Sequence, residues 1–215
     1  MPVYKRTYRR KPRAVAKPTL PMKYRIADTA EKAYKTAMYV KNLINVEKKH
    51  YDYDQTITPN YTGSITTINN PDAGTTDITR IGDSILNKSI EYKGYSMRNG
   101  ADALVRVLLI WDKQNTVATV ADCLDKTGSG YAPLCSIKKD NFRQFRILYD
   151  NTHTVSTYRP LHQFSISLKN LDTHTQFEAA TTAINSGAYK LLVISNLNAN
   201  VPNVFTSRRF QYIDN

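Results

Sequence analysis

The chain carries few of the side chains on which enzymatic chemistry is built. Its 215 residues include two cysteines, four histidines, one tryptophan and eight glycines. Cys123 and Cys135 are too few for a disulfide framework and lack the spacing of a metal site, so free thiols in a reducing compartment are expected. His50, His153, His162 and His174 are scattered without H-x-x-x-H or H-E-x-x-H spacing, and each reads as an ordinary strand or surface histidine. The glycines form no phosphate-binding loop, dinucleotide fingerprint or nucleophile elbow. No catalytic site, metal site or cofactor is therefore expected. The acidic pairs Asp52/Asp54 and Asp122/Asp125 have the hard oxygens that a divalent ion between subunits would need, but solvated loop acids are the simpler reading. Long apolar runs are also missing. No stretch approaches the roughly 20 residues of a membrane span, and the amino terminus lacks a secretory h-region, so a soluble protein made inside a cell is expected.

Acid is absent from the first 25 residues, which hold nine Lys or Arg. Residues 1–49 contain 14 cations and 3 acids, a net of +11, while residues 50–215 contain 16 and 15. The formal charge of +12 thus belongs to one end of the chain. Dense like charge and the prolines at 2, 12, 18 and 21 leave that segment unable to bury apolar surface or sustain a helix. A disordered basic arm over residues 1–27 is expected, followed by a short amphipathic helix over 28–45. In that helix Ala30, Ala33, Tyr34, Ala37 and Met38 recur at three- and four-residue intervals behind the cap candidates Asp28 and Thr29. Lys32, Lys35 and Lys41 fall on its exposed face.

Beyond Val46 the period drops to two. Val105, Val107, Leu109 and Trp111 share one face of a strand, with Arg106 on the other. Phe145, Ile147 and Tyr149 alternate with polar residues, as do Phe164, Ile166 and Leu168. Further strands are expected near His50, across 84–98 and around 189–197 and 204–213. The spacers are turn-like, and no sustained helix separates successive strands. Residues 46–215 are therefore expected to form an antiparallel all-β sandwich, with long connections such as 114–133 suiting a jelly roll.

Nine cations of the arm carry the only specific implication about a ligand: Lys5, Arg6, Arg9, Arg10, Lys11, Arg13, Lys17, Lys23 and Arg25. Each placed near a phosphate releases condensed counterion, giving strong, salt-dependent binding without sequence readout. Tyr4, Tyr8 and Tyr24 lie among them and could stack on unpaired bases of a single strand. The same basic run reads as a nuclear import signal.

A basic, proline-broken arm, an Ala-rich helix and a β-sandwich resemble the capsid proteins of small viruses with single jelly-roll shells. The segments AEKAYKTAMYVKNLINVEKKHYD, RIGDSILNKSIEYKGY, VRVLLIWDKQ, FRQFRILYDNTHTVS and AYKLLVISNL with RRFQYID are similar, in that order, to capsid proteins of circular Rep-encoding single-stranded DNA viruses (CRESS DNA viruses) and satellite-virus-like relatives. The resemblance implies an eight-stranded jelly roll over 46–215. It also implies a T=1 icosahedral shell of ~60 copies, arms on a single-stranded genome, DNA before RNA, and the virion as location, with the host nucleus reached through the basic segment. Sixty arms at +11 would supply roughly 660 charges, enough for a strand on the order of one or two kilobases. The alternative is a cellular nucleic-acid-binding protein with a β-sandwich domain. Such proteins usually carry their cations on the folded domain, and here that domain is balanced to within one charge.

Overall fold

The structure is a computed structural model that describes residues 22–43, 48–125, 132–138, 143–179 and 181–214. It divides into two units, Met1–Asn45 and Val46–Asn215. In the first, helix α1 spans Met22–Leu43. It starts six residues ahead of the expected boundary at Asp28. Pro21 is the last residue able to oppose helix formation, and Met22 to Ala27 contain neither proline nor glycine. The expected disordered arm of residues 1–27 is corrected accordingly: residues 22–27 are helical. Residues 28–37 and Tyr39 are all exposed, Tyr34 and Tyr39 by about two thirds.

The second unit is an all-β sandwich of two antiparallel sheets. Its strands are β1 (Lys48–Ile57), β2 (Ser64–Thr67), β3 (Ser84–Met97), β4 (Ala103–Asp112), β5 (Phe145–Val155), β6 (Leu161–Phe177), β7 (Ile184–Ser186), β8 (Ala188–Ser195) and β9 (Asn203–Asp214). Five strands lie in the order β1-β9-β3-β6-β7 and four in the order β2-β8-β4-β5. The described residues thus contain nine strands against the eight expected; the two shortest are β2 and β7, which sit at sheet edges. Three or four residues are too few to display an alternating pattern in sequence.

The core fills the space between the sheets. Ile90, Tyr92, Phe164, Ile166 and Phe210 come from the five-stranded sheet, and Val105, Val107, Leu109, Leu191 and Val193 from the other. Strands that face water on one side alternate, as β6 does from Leu161 to Leu168. By contrast, β8 is buried at every position and β4 at nearly every one. Both faces of the four-stranded sheet are covered, which is why these strands read as near-continuous apolar runs. Leu108, Ile110, Leu192 and Ile194 point away from the main core into a second cluster with Val117, Val120, Cys123, Leu124 and Phe145. That cover belongs to the connection between β4 and β5, which includes the short helix α2 (Val120–Cys123).

Two ion pairs within the sheet hold this covering segment through hydrogen bonds to its backbone. Arg106 donates to both oxygens of Asp150 at 2.6 and 2.8 Å and to the carbonyls of Pro133 and Cys135 at 3.2 and 2.6 Å. Lys190 reaches Asp112 at 3.0 Å and the Val117 carbonyl at 2.6 Å, and the Val117 amide donates to Asp112 at 2.8 Å. One expected alternation fails. The β4–β5 register slips between Leu109 and Ile110, which pair with Tyr149 and Ile147, so Leu148 is a bulge. The extra residue turns the strand over. Phe145 and Ile147 pack on the second cluster, while Tyr149 packs on the main core rather than sharing their face.

Candidate nucleic-acid interface

Of the residues expected to contact nucleic acid, Lys5, Arg6, Arg9, Arg10, Lys11, Arg13 and Lys17, with Tyr4 and Tyr8, lie outside the described residues. Lys23, Tyr24 and Arg25 lie within α1, whose first turn contains no acidic residue. This is the reverse of the usual arrangement, in which acids near the N-terminus offset the helix dipole. Further along the helix, Lys32 pairs with Asp28 at 2.7 Å and Lys35 with Glu31 at 2.6 Å, each across one turn. These exposed pairs add little stability. They do neutralise two of the lysines that were expected to extend the basic surface, so the uncompensated charge of this unit is concentrated toward its amino-terminal side.

The folded sandwich spends many of its cations internally. Lys49 is buried against Asp214 at 2.7 Å and the Thr79 carbonyl at 2.9 Å. Arg80, fully buried, donates to the Gly82 and Thr181 carbonyls and lies 4.0 Å over the Phe177 ring. Arg208 is buried, donates to the Thr67 carbonyl and lies 4.6 Å over the Tyr53 ring. With Arg106 and Lys190, these are five cations of the chain turned toward protein partners rather than solvent. A cation held this way cannot also neutralise a phosphate.

One member of each acidic pair is engaged as well. Asp52 makes a bidentate pair with Arg209, at 2.9 and 2.7 Å, and that hydrogen bonding holds its carboxyl below the usual range. Asp122 accepts hydrogen bonds from the Ala118 and Thr119 amides at 3.0 and 2.7 Å and from the Thr119 hydroxyl. It thus serves the entry to α2. Among the described residues, no group of three or more His, Cys, Asp or Glu is gathered as for a metal ion. Both cysteines are free thiols, and burial pushes the Cys123 thiol up to about 12, so it is unreactive at neutral pH.

Nothing in the local sequence signals that two histidines meet. His153 on β5 and His162 on β6 stack with ring centroids 4.0 Å apart, and His153 Nε2 lies 2.9 Å from the Ser96 hydroxyl of β3. The stack therefore bridges the two sheets. Burial first, then His162 and Arg159, lower the His153 imidazole to about 4; burial and Arg159 also lower His162. The folded protein disfavours protonation that the unfolded chain accepts near 6.5. Stability from this stack is thus full above the unfolded pKa and is lost as pH falls toward 4. The expected loss is about 2–3 kcal/mol, read as a lower urea midpoint at pH 4.5 than at pH 7.5. His153→Phe should remove most of that difference; an equal difference in the variant would contradict the assignment.

No protein-family model matches the sequence, and no characterised protein matches it. Among solved structures, a chain of Desmodium yellow mottle tymovirus is similar over 78% of this chain and 87% of its own, at 13% identity and a TM-score of 0.35. That likeness is too loose to carry fold or function across.

Proposed function

We propose that the protein is a viral capsid protein whose sandwich assembles into a small closed shell and whose basic amino-terminal segment packages a single-stranded genome. The observation that carries this reading is the segregation of charge, a net of +11 in residues 1–49 against +1 in residues 50–215. Near-neutral bodies can pack edge to edge without mutual repulsion, while cationic arms resist crowding until a polyanion compensates them. Assembly and packaging are then coupled.

The strand order supports a jelly roll. Omitting the edge strand β7, the sheets run β1-β9-β3-β6 and β2-β8-β4-β5, so consecutive strands alternate between sheets except at the β4–β5 pair, and the terminal strands pair. Two nested Greek keys have this order. A T=1 shell of ~60 copies and a circular DNA genome rest on the sequence resemblance. The arm cannot choose DNA over RNA, because it meets phosphate in both. The internal pairing of Lys49, Arg80, Arg106, Lys190 and Arg208 weighs against the alternative of a cellular binding domain that grips nucleic acid with its folded face.

The test is protection. Purified chain mixed with single-stranded DNA or RNA of one to two kilobases, treated with nuclease and sedimented, should carry protected strand of either kind in a fast, uniform peak. Complete digestion of both strands at every ionic strength would overturn packaging.

A further inference from the structure

The outer faces of the two sheets differ. That of the four-stranded sheet is covered by the chain's own β4–β5 connection. That of the five-stranded sheet bears an apolar patch exposed among the described residues. Strand registers place Asp54, Ser207, Lys93 and Ser165 in one row, and Thr56, Phe205, Tyr95 and Gln163 in the row two residues away. Alternation puts both rows on the same face. These rows line an open groove of about 720 Å³. Tyr95 and Phe205 stack with ring centroids 4.9 Å apart, and Tyr95, Met97 and Leu161 are 36%, 36% and 41% exposed. Contiguous apolar surface with a polar surround is the signature of an interaction site.

Charge decides the occupant. Lys93 and Asp54 stand on either side of Ser207 and form no ion pair among the described residues. A polyanion would meet Asp54 as well as Lys93, whereas a second copy can satisfy both. A twofold axis running along β9 between two such faces lays Lys93 of each copy over Asp54 of the other and brings the two Phe205 rings together, the reciprocal arrangement of an isologous contact. Two residues along, the Arg209–Asp52 pair makes a polar rim.

We infer that this face is a twofold contact between copies of the chain, centred on Phe205 and Tyr95 and keyed by reciprocal Lys93–Asp54 pairs. The inference deepens the assembly reading and names the contact it needs. The test is charge exchange in the full chain, freed of nucleic acid by nuclease and high salt and then examined by sedimentation equilibrium at moderate salt. Wild type should dimerise, Lys93→Glu and Asp54→Lys should each weaken dimerisation at least tenfold, and the double exchange should restore it. Circular dichroism checks that each variant is folded. A monomeric wild type, indifferent single variants, or a double variant no better than the singles would overturn the contact, as would weakened nucleic-acid binding by Lys93→Glu with unchanged self-association. Protected particles with an inert charge exchange would leave packaging standing and remove this contact. Rescue without particles would do the opposite.

Discussion

Deleting residues 1–25 is expected to abolish nucleic-acid packaging while leaving the sandwich folded. The deletion removes nine cations and no acid, changing the chain from a net +12 to +3. With nine phosphate contacts, the full chain should lose about 10³- to 10⁵-fold in affinity for a single strand between 50 and 200 mM salt. The shortened chain should bind weakly throughout and show a shallow salt slope. Individual substitutions among Lys5, Arg6, Arg9, Arg10, Lys11, Arg13, Lys17, Lys23 and Arg25 should each matter little, and replacing five with glutamine should remove about half the slope. Fluorescence anisotropy across a salt series reads this directly. Truncated protein that protects as much strand as the full chain would defeat the role given to the arm.

The second large effect concerns the body. Asp112 and Lys190 are paired at 3.0 Å with side chains 0% and 6% exposed, and both also bond the Val117 backbone. Removing one partner leaves a buried charge without its counterion, a loss of about 3–5 kcal/mol. Asp112→Ala and Lys190→Met should each lower the urea midpoint by that equivalent and loosen the connection that covers Leu108, Ile110, Leu192 and Ile194. The double variant should recover much of the loss, because no unpaired charge is left behind. Single variants within 1 kcal/mol of wild type would show that the pair does not anchor the cover.

Much of this was readable in the sequence because burial imposes periodicity. Phe164, Ile166 and Leu168 alternate because one face of β6 meets water, and the unbroken apolar run from Leu191 to Ile194 reflects a strand covered on both faces. The charge asymmetry of the first 49 residues needs no structure at all. Other features depend on chain pairings with no local signature. A bulge at Leu148 sends Tyr149 to the opposite face from Phe145 and Ile147, although the three alternate perfectly in sequence. His153 and His162 stack only because β5 and β6 lie in different sheets that meet at that point. Helix α1 starts at Met22 rather than at the cap candidates Asp28 and Thr29, because no breaker follows Pro21. Seven of the nine cations proposed to hold nucleic acid lie outside the described residues.

Assembly is the central claim, and electron microscopy of the purified full chain, with absorbance at 260 and 280 nm on the same nuclease-treated fraction, tests it most directly. Uniform round particles retaining nucleic acid are the predicted result, and the protected strand could then be sequenced to identify it as DNA or RNA. A monomer or small oligomer that releases all its nucleic acid under nuclease, at every salt concentration, would contradict the capsid reading and favour the cellular binding domain.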